Sequence, residues 1–298
     1  MNGGLDYREF KVLEALEAAG GETLTQREIA AKAGISVGTV NRTLSDLSER
    51  GLAKEGTLTA VGLKALEPYR VKRAVFVAAG FGSRLVPITL NTPKPLVRVR
   101  GQRIIDSLLD AVAAAEIDDV YIVRGYYGEQ FDQLLYKYPH VKFLENPMYN
   151  EANNISSLMV AKYLLSNAYV IESDLLLSNP ALITKYQYQS NYLGIRMDRS
   201  DDWCFKVKKG VITDIMVGGE DCWQMVGISY WNEEDGRKLA CDIPETFGMP
   251  GGKERYWDEV ALRYFPQHYE VRIRECSSDD IVEIDTFKEL QALDSAYA

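Results

Sequence analysis

The sequence is poor in the residues that bind soft metals or hold disulfides. Among 298 residues there are two histidines, His140 and His268, far apart, and four cysteines with no Cys-x-x-Cys pair. Such spacing argues against a zinc cluster and for free thiols in a reducing compartment. No run of about 18 apolar residues is present, which excludes a helical membrane span. The opening MNGGLDYREF also lacks the basic start and apolar stretch of a secretion signal, so the expectation is a cytoplasmic protein. A positive surplus is missing too. The chain carries 34 Lys/Arg against 43 Asp/Glu, a net charge of −9, which counts against a dedicated nucleic-acid binder. Nor does it show a Ser/His/Asp or Cys/His arrangement for nucleophilic catalysis. What remains is ample apolar material, 46% of residues, in a chain long enough for two domains.

Two rhythms divide the chain. Residues 1–70 read as short helices and tight turns, with Phe10, Leu13 and Leu16 at helical spacing. Thr25 and Glu28 form a capping box for a helix that carries Ile29 and Ala33 inward and stops at Gly34. Ser36 caps a second helix with Val37, Val40, Leu44 and Leu47 on one face. Two extended pieces around Glu55-Gly56 follow, then a last helix that uses Leu63 and Leu66. That order resembles a winged helix-turn-helix of the bacterial regulator type. The resemblance implies that the second helix would face the major groove with Thr39, Asn41, Arg42 and Ser45 outward. Residues 1–70 nevertheless hold nine basic against ten acidic side chains. Phosphate contacts supply much of the affinity for DNA, so dimerisation or domain packing fits this charge better than DNA binding.

From Val71 to the C-terminus, apolar runs alternate with helical segments. Strands are expected at 74–79, 119–123, 141–144 and 168–172, with helices near 103–116, 129–138 and 154–165. Strands apolar on both faces and separated by helices imply an α/β fold, a doubly wound and mostly parallel sheet.

The most specific string is AAGFGSRLVPIT, residues 78–89, followed by Asn91-Thr-Pro-Lys-Pro-Leu96. It stands where the first strand ends, the place where open α/β sheets bind ligands. Gly80 and Gly82 allow backbone amides to cradle phosphate oxygens, Arg84 offers a fork of donors, and Lys94 is a point charge between two prolines. The string is neither a Walker loop nor a dinucleotide fingerprint. It resembles the signature of sugar-phosphate nucleotidyltransferases. The strings NNISSL, YVIESD, DDWCF, GISYW, RYWDEV and IVEID narrow the likeness to bacterial phosphocholine cytidylyltransferases, which make CDP-choline and pyrophosphate from CTP and phosphocholine.

The resemblance implies that Gly80, Gly82, Ser83 and Arg84 hold the triphosphate, that Lys94 meets the reacting phosphoryl groups, and that Ala78, Tyr126, Asn154 and Ser157 contact base and ribose. It also places Trp203, Tyr256 and Trp257, with Asp202 and Asp258, at the acceptor. The chain departs from the pattern at Ile155 and Ser156, where aromatic residues follow the paired asparagines. Asp174 and Asp285 each close a strand, and two carboxylates from separate strand ends can share one Mg²⁺ with substrate phosphates. Each could instead cap the element that follows. A quaternary ammonium is recognised by aromatic faces and a primary one by carboxylates. The tryptophan supply leans towards phosphocholine over 2-aminoethylphosphonate. A sugar-1-phosphate acceptor, a ligand-sensing DNA-binding regulator and a homo-oligomer stay open as alternatives.

Overall fold

Asp6, Thr25, Ser36 and Thr59 each start a helix by accepting a backbone N–H, which satisfies donors that the first turn leaves free. A computed structural model describes residues 4–298. In it α1 spans Tyr7–Glu17, α2 Gln26–Ala33 and α3 Val37–Glu49; β1 (Ala53–Lys54) pairs with β2 (Thr57–Leu58), and α4 runs Ala60–Leu66. This is the winged-helix order. The capping box at Thr25 is present and α2 ends on Gly34 at φ +67°.

Phe10, Leu13, Leu16, Ile29, Ala33, Val40, Leu47 and Leu66 are buried together. Two expected core positions are not. Val37 is 43% and Leu63 46% exposed. Val37 is the first residue of α3 and precedes the turn that packs. In α4 the inward position next to Leu63 belongs to Gly62, which lies so close to the Leu52 carbonyl that a Cβ would sit 2.0 Å from it. The core of this unit also takes in Tyr186–Tyr188 from much later in the chain. Tyr188 stacks on Tyr69 at 5.4 Å and donates its hydroxyl to the Leu5 carbonyl.

The second unit comprises Val71–Lys185 and Gln189–Ala298. Its elements run β3 (Arg73–Ala78), a small ladder of β4 (Arg98–Val99) and β5 (Gln102–Arg103), α5 (Ile104–Ala114), β6 (Asp119–Arg124), β7 (Val141–Glu145), α6 (Ile155–Ala161) and β8 (Ala168–Glu172). Then come β9 (Leu175–Leu177), the long β10 (Asn191–Lys208) and β11 (Val211–Trp231), α7 (Glu233–Gly248), β12 (Arg272–Cys276), β13 (Ile281–Glu283) and α8 (Phe287–Leu293). Seven strands form one sheet in the order β10-β12-β11-β8-β3-β6-β7. The β8-β3-β6-β7 half is parallel, and β11 joins it antiparallel along β8.

Apolar layers cover both faces of the sheet, as the unbroken Val/Ile/Ala runs require. The segment expected as a helix near 129–138 is a run of 3₁₀ turns over Gly128–Tyr136. All four cysteines are unbridged. Among the described residues no helix is long and apolar enough to cross a membrane.

Candidate active site

The glycine loop leaves β3 at Ala78 and folds back over Lys94. Gly82 has φ +61°, and a Cβ there would lie 2.9 Å from the Lys94 Cβ and 3.1 Å from the Thr89 methyl. Glycine is needed at this position for conformation and for space. Gly80 meets nothing within 4 Å in the direction of its absent side chain, so that edge of the loop is open to a ligand. Lys94 is 8% exposed, and its Nζ donates to Asp174 Oδ2 at 2.8 Å and Asp285 Oδ1 at 2.9 Å. Burial alone would make the ammonium easier to deprotonate. The two carboxylates outweigh it and hold the pKa above its ordinary value. Arg84, largely exposed, lies with Nη2 2.7 Å from Asp285 Oδ1.

Neither aspartate is spent on a helix cap. Asp174 is followed by β9, and the N-cap of α8 is Thr286, paired with Glu289 in a capping box. The antiparallel ladder of β9 and β13 sets Leu175 opposite Glu283, and Ile284 N–H donates to the Asp174 carbonyl at 3.2 Å. This ladder is what brings the two acids together. Asp174, Glu283 and Asp285 each offer an oxygen, all within 4.8 Å of one another. Asp174 Oδ1 is buried without a hydrogen-bond partner, as an atom reserved for a ligand would be. Burial first, then the neighbouring Asp174 and Asp285, push the Glu283 carboxyl up to about 9. Glu172 is driven well above the usual carboxylate range by burial, Asp174 and Asp258. So many acids facing one space with one buried lysine make a strong cation receptor, and an oxygen-only donor set suits a hard divalent ion.

Two cavities meet at this cluster. One, of about 270 Å³, is lined by Ala78, Gly80, Gly82, Ser83, Arg84, Lys94 and Asn154 with the two aspartates. The other, of about 380 Å³, is walled by Asp202, Trp203, Ile215, Met225, Gly227, Tyr256, Asp258 and Glu259 and shares Arg84, Asn154, Glu172 and both aspartates with the first. Asn154 ties the two together: its Nδ2 donates to Glu172 at 3.1 Å and its Oδ1 accepts the Trp257 backbone N–H at 2.9 Å. Asp258 is 2% exposed and accepts the Tyr192 hydroxyl at 2.5 Å, and burial raises its pKa to about 7.

Three expected site residues are not brought into either cavity. Ser157 is buried and accepts from Asn146 Nδ2, held there because it lies on the inner face of α6. Trp257 is 1% exposed, with its ring packed between Tyr192 and Trp231 in the core. Tyr126 packs against Phe81 and donates its hydroxyl to the Thr89 carbonyl, which supports the loop from outside. Ile155 and Ser156 point into the protein as well. Sequence reasoning overlooked Glu172 and Glu283. Both had a signal: Glu172-Ser-Asp174 and Glu283-Ile-Asp285 repeat an acid two residues before each aspartate, which in an extended chain puts both on one face.

Residues 73–191 match the Nucleotidyl transferase family, and residues 3–57 match the MarR family. The chain is 33% identical over 228 residues to a 2-aminoethylphosphonate cytidylyltransferase of Lancefieldella rimae, an alignment that covers 75% of this chain and 92% of that one. It is 30% identical over 226 residues to a choline-phosphate cytidylyltransferase of Streptococcus pneumoniae, covering 74% and 96%. The solved CTP:phosphocholine cytidylyltransferase of Streptococcus pneumoniae superposes with a TM-score of 0.70 over 77% of this chain and 100% of its own. The glycine loop, the acid cluster and these likenesses agree: the chain belongs to the nucleotidyl transferases, in the cytidylyltransferase family, with a MarR-type winged helix at its N-terminus.

Proposed function

We propose that this enzyme transfers CMP from CTP to a small phosphonate or phosphate bearing a primary ammonium, 2-aminoethylphosphonate first among them. An acceptor oxygen attacks the α-phosphorus while the bond to the bridging oxygen breaks, and pyrophosphate leaves with that electron pair. The chain's own part is to bind and orient, since no protein nucleophile is required. Gly80, Gly82 and Ser83 offer backbone amides to the triphosphate, and Arg84 and Lys94 neutralise charge that builds up during transfer. Asp174, Asp285 and Glu283 would hold Mg²⁺, whose chemistry is to screen the phosphoryl oxygens from one another.

The choice of head group rests on the make-up of the larger cavity. Of the aromatics that suggested a choline cage, Trp257 is a core residue, which leaves Trp203 and Tyr256. Asp202, Asp258 and Glu172 line the same space and can accept the N–H bonds that a quaternary ammonium cannot make. The Lancefieldella rimae relative supports this reading. Phosphocholine is the second reading, favoured by the edge-to-face pair of Trp203 and Tyr256 at 5.5 Å and by the Streptococcus pneumoniae relative. Pyrophosphate release with CTP, Mg²⁺ and each acceptor decides between them. The expected result is kcat/KM at least about tenfold higher for 2-aminoethylphosphonate, the worth of one charged hydrogen bond. A preference for phosphocholine would reverse the assignment, and no turnover of either would end it.

Asp258 provides a test by pH. Its carboxyl ionises at about 7, and only the ionised form attracts an ammonium. Acceptor kcat/KM in the free enzyme therefore rises as pH increases through about 7. Asp258→Asn is expected to lower acceptor kcat/KM roughly 10- to 100-fold at high pH. The ratio of wild type to variant, which cancels the acceptor's own titration, should shrink towards acid pH. A ratio that stays constant with pH would remove Asp258 from head-group binding.

A further inference from the structure

The wall of the larger cavity is assembled from three separate parts of the chain: β10 with Trp203, β11 with Ile215, and the segment before Val260 with Tyr256 and Glu259. One side chain outside the cavity touches all three. Arg263 Nη1 donates to Glu259 Oε1 at 2.5 Å, Nη2 donates to the Ile215 carbonyl at 2.8 Å, and the guanidinium lies 5.7 Å from the centre of the Trp203 ring. Glu259 is 4% exposed, and its other carboxylate oxygen accepts the Tyr256 backbone N–H at 3.1 Å. Arg263 sits in a single π-turn, Val260–Tyr264, closed by the Phe265 N–H on the Val260 carbonyl at 2.9 Å. Turns of this kind are rare in helices and concentrate at functional sites, because one inserted residue re-aims the side chains beyond it.

We infer that Arg263 is a positioning residue for the acceptor: it fixes Trp203, and with it the aromatic edge of the head-group pocket, against Glu259 and β11. The rigid fork of a planar guanidinium serves two acceptors in different directions while lying near an aromatic ring, a geometry that a lysine ammonium reproduces only in part. The ring, held on its far side, presents one fixed surface to the cavity. The inference rests on the proposed function for the identity of what enters the pocket, but not for the tie itself.

The test uses the full-length protein. Arg263→Met is expected to raise the KM for the acceptor roughly tenfold and to leave the KM for CTP within about twofold, the loss of one charged hydrogen-bond set. Removing the arginine also strands a buried carboxylate, so Glu259→Gln/Arg263→Met is made alongside. The double variant should melt closer to wild type while its acceptor KM stays high, which separates positioning from stability. Arg263→Lys should fall between wild type and Arg263→Met. Amide exchange gives a readout that needs no acceptor: residues 201–205 should exchange faster in the double variant, and residues 80–96 should not. Equal changes in both KM values, recovery of acceptor KM with stability in the double variant, or unchanged exchange at 201–205 would each overturn the inference. If wild type turns over no acceptor while exchange at 201–205 still responds, the function fails and the tie stands.

Discussion

Asp174→Asn is expected to cut magnesium-dependent pyrophosphate release about a thousandfold, at the upper end of what one preorganised electrostatic group contributes. The amide replaces the carboxylate that carries both the orphaned buried oxygen and a bond to Lys94. Its melting temperature should not fall, because the substitution removes one negative charge from a space where Glu172, Glu283 and Asp285 already crowd together. Turnover and thermal melting of the same preparation provide the check. Activity within about tenfold of wild type would exclude Asp174 from the metal site.

Asp285→Asn should act in opposite directions on two measurements. The cations expected to grip the triphosphate pair with the acids expected to grip the metal: Lys94 bonds Asp174 and Asp285, and Arg84 bonds Asp285. A metal entering between the acids would free both cations for phosphate, so the metal and the nucleotide should each strengthen the binding of the other. With Mg²⁺ present, the variant loses turnover by about a hundredfold. With EDTA present, it should bind CTP about tenfold more tightly than wild type, since Arg84 and part of Lys94 are released without the metal. Equilibrium dialysis of labelled CTP in EDTA measures this. Weaker or equal binding would show that the ion pairs do not hold the cations back.

The parallel half of the sheet was legible because its strands are short, apolar on both faces and separated by helices, and helix starts at Thr25 and Ser36 follow from local capping chemistry alone. The long β10–β11 pair was not read as one. Its residues alternate exposed and buried only in parts, and its register shifts around Ser200–Lys206, so neither period persists. The phosphate side of the site could be read because it sits in one continuous loop. The acceptor side could not be sorted. Trp203 and Trp257 look alike in sequence, and only packing decides that the first lines a cavity while the second fills the core. Arg263 offered only its i,i+4 spacing to Glu259, since its other two partners, Ile215 and Trp203, lie on separate strands.

The two aspartates reach one another through a ladder only three residue pairs long, Ile281–Leu177 to Glu283–Leu175. Lys94 is 80 positions from Asp174 and 191 from Asp285. An ion held by Asp174, Glu283 and Asp285 would clasp the middle of the chain to its last segment at a single point, much as a crosslink closes a large ring, and wide rings gain most from such a clasp. The tail from β13 through α8 should then be fastened when metal is bound and fray more readily when it is not, so that the reaction's own cation also serves as the buckle of the fold.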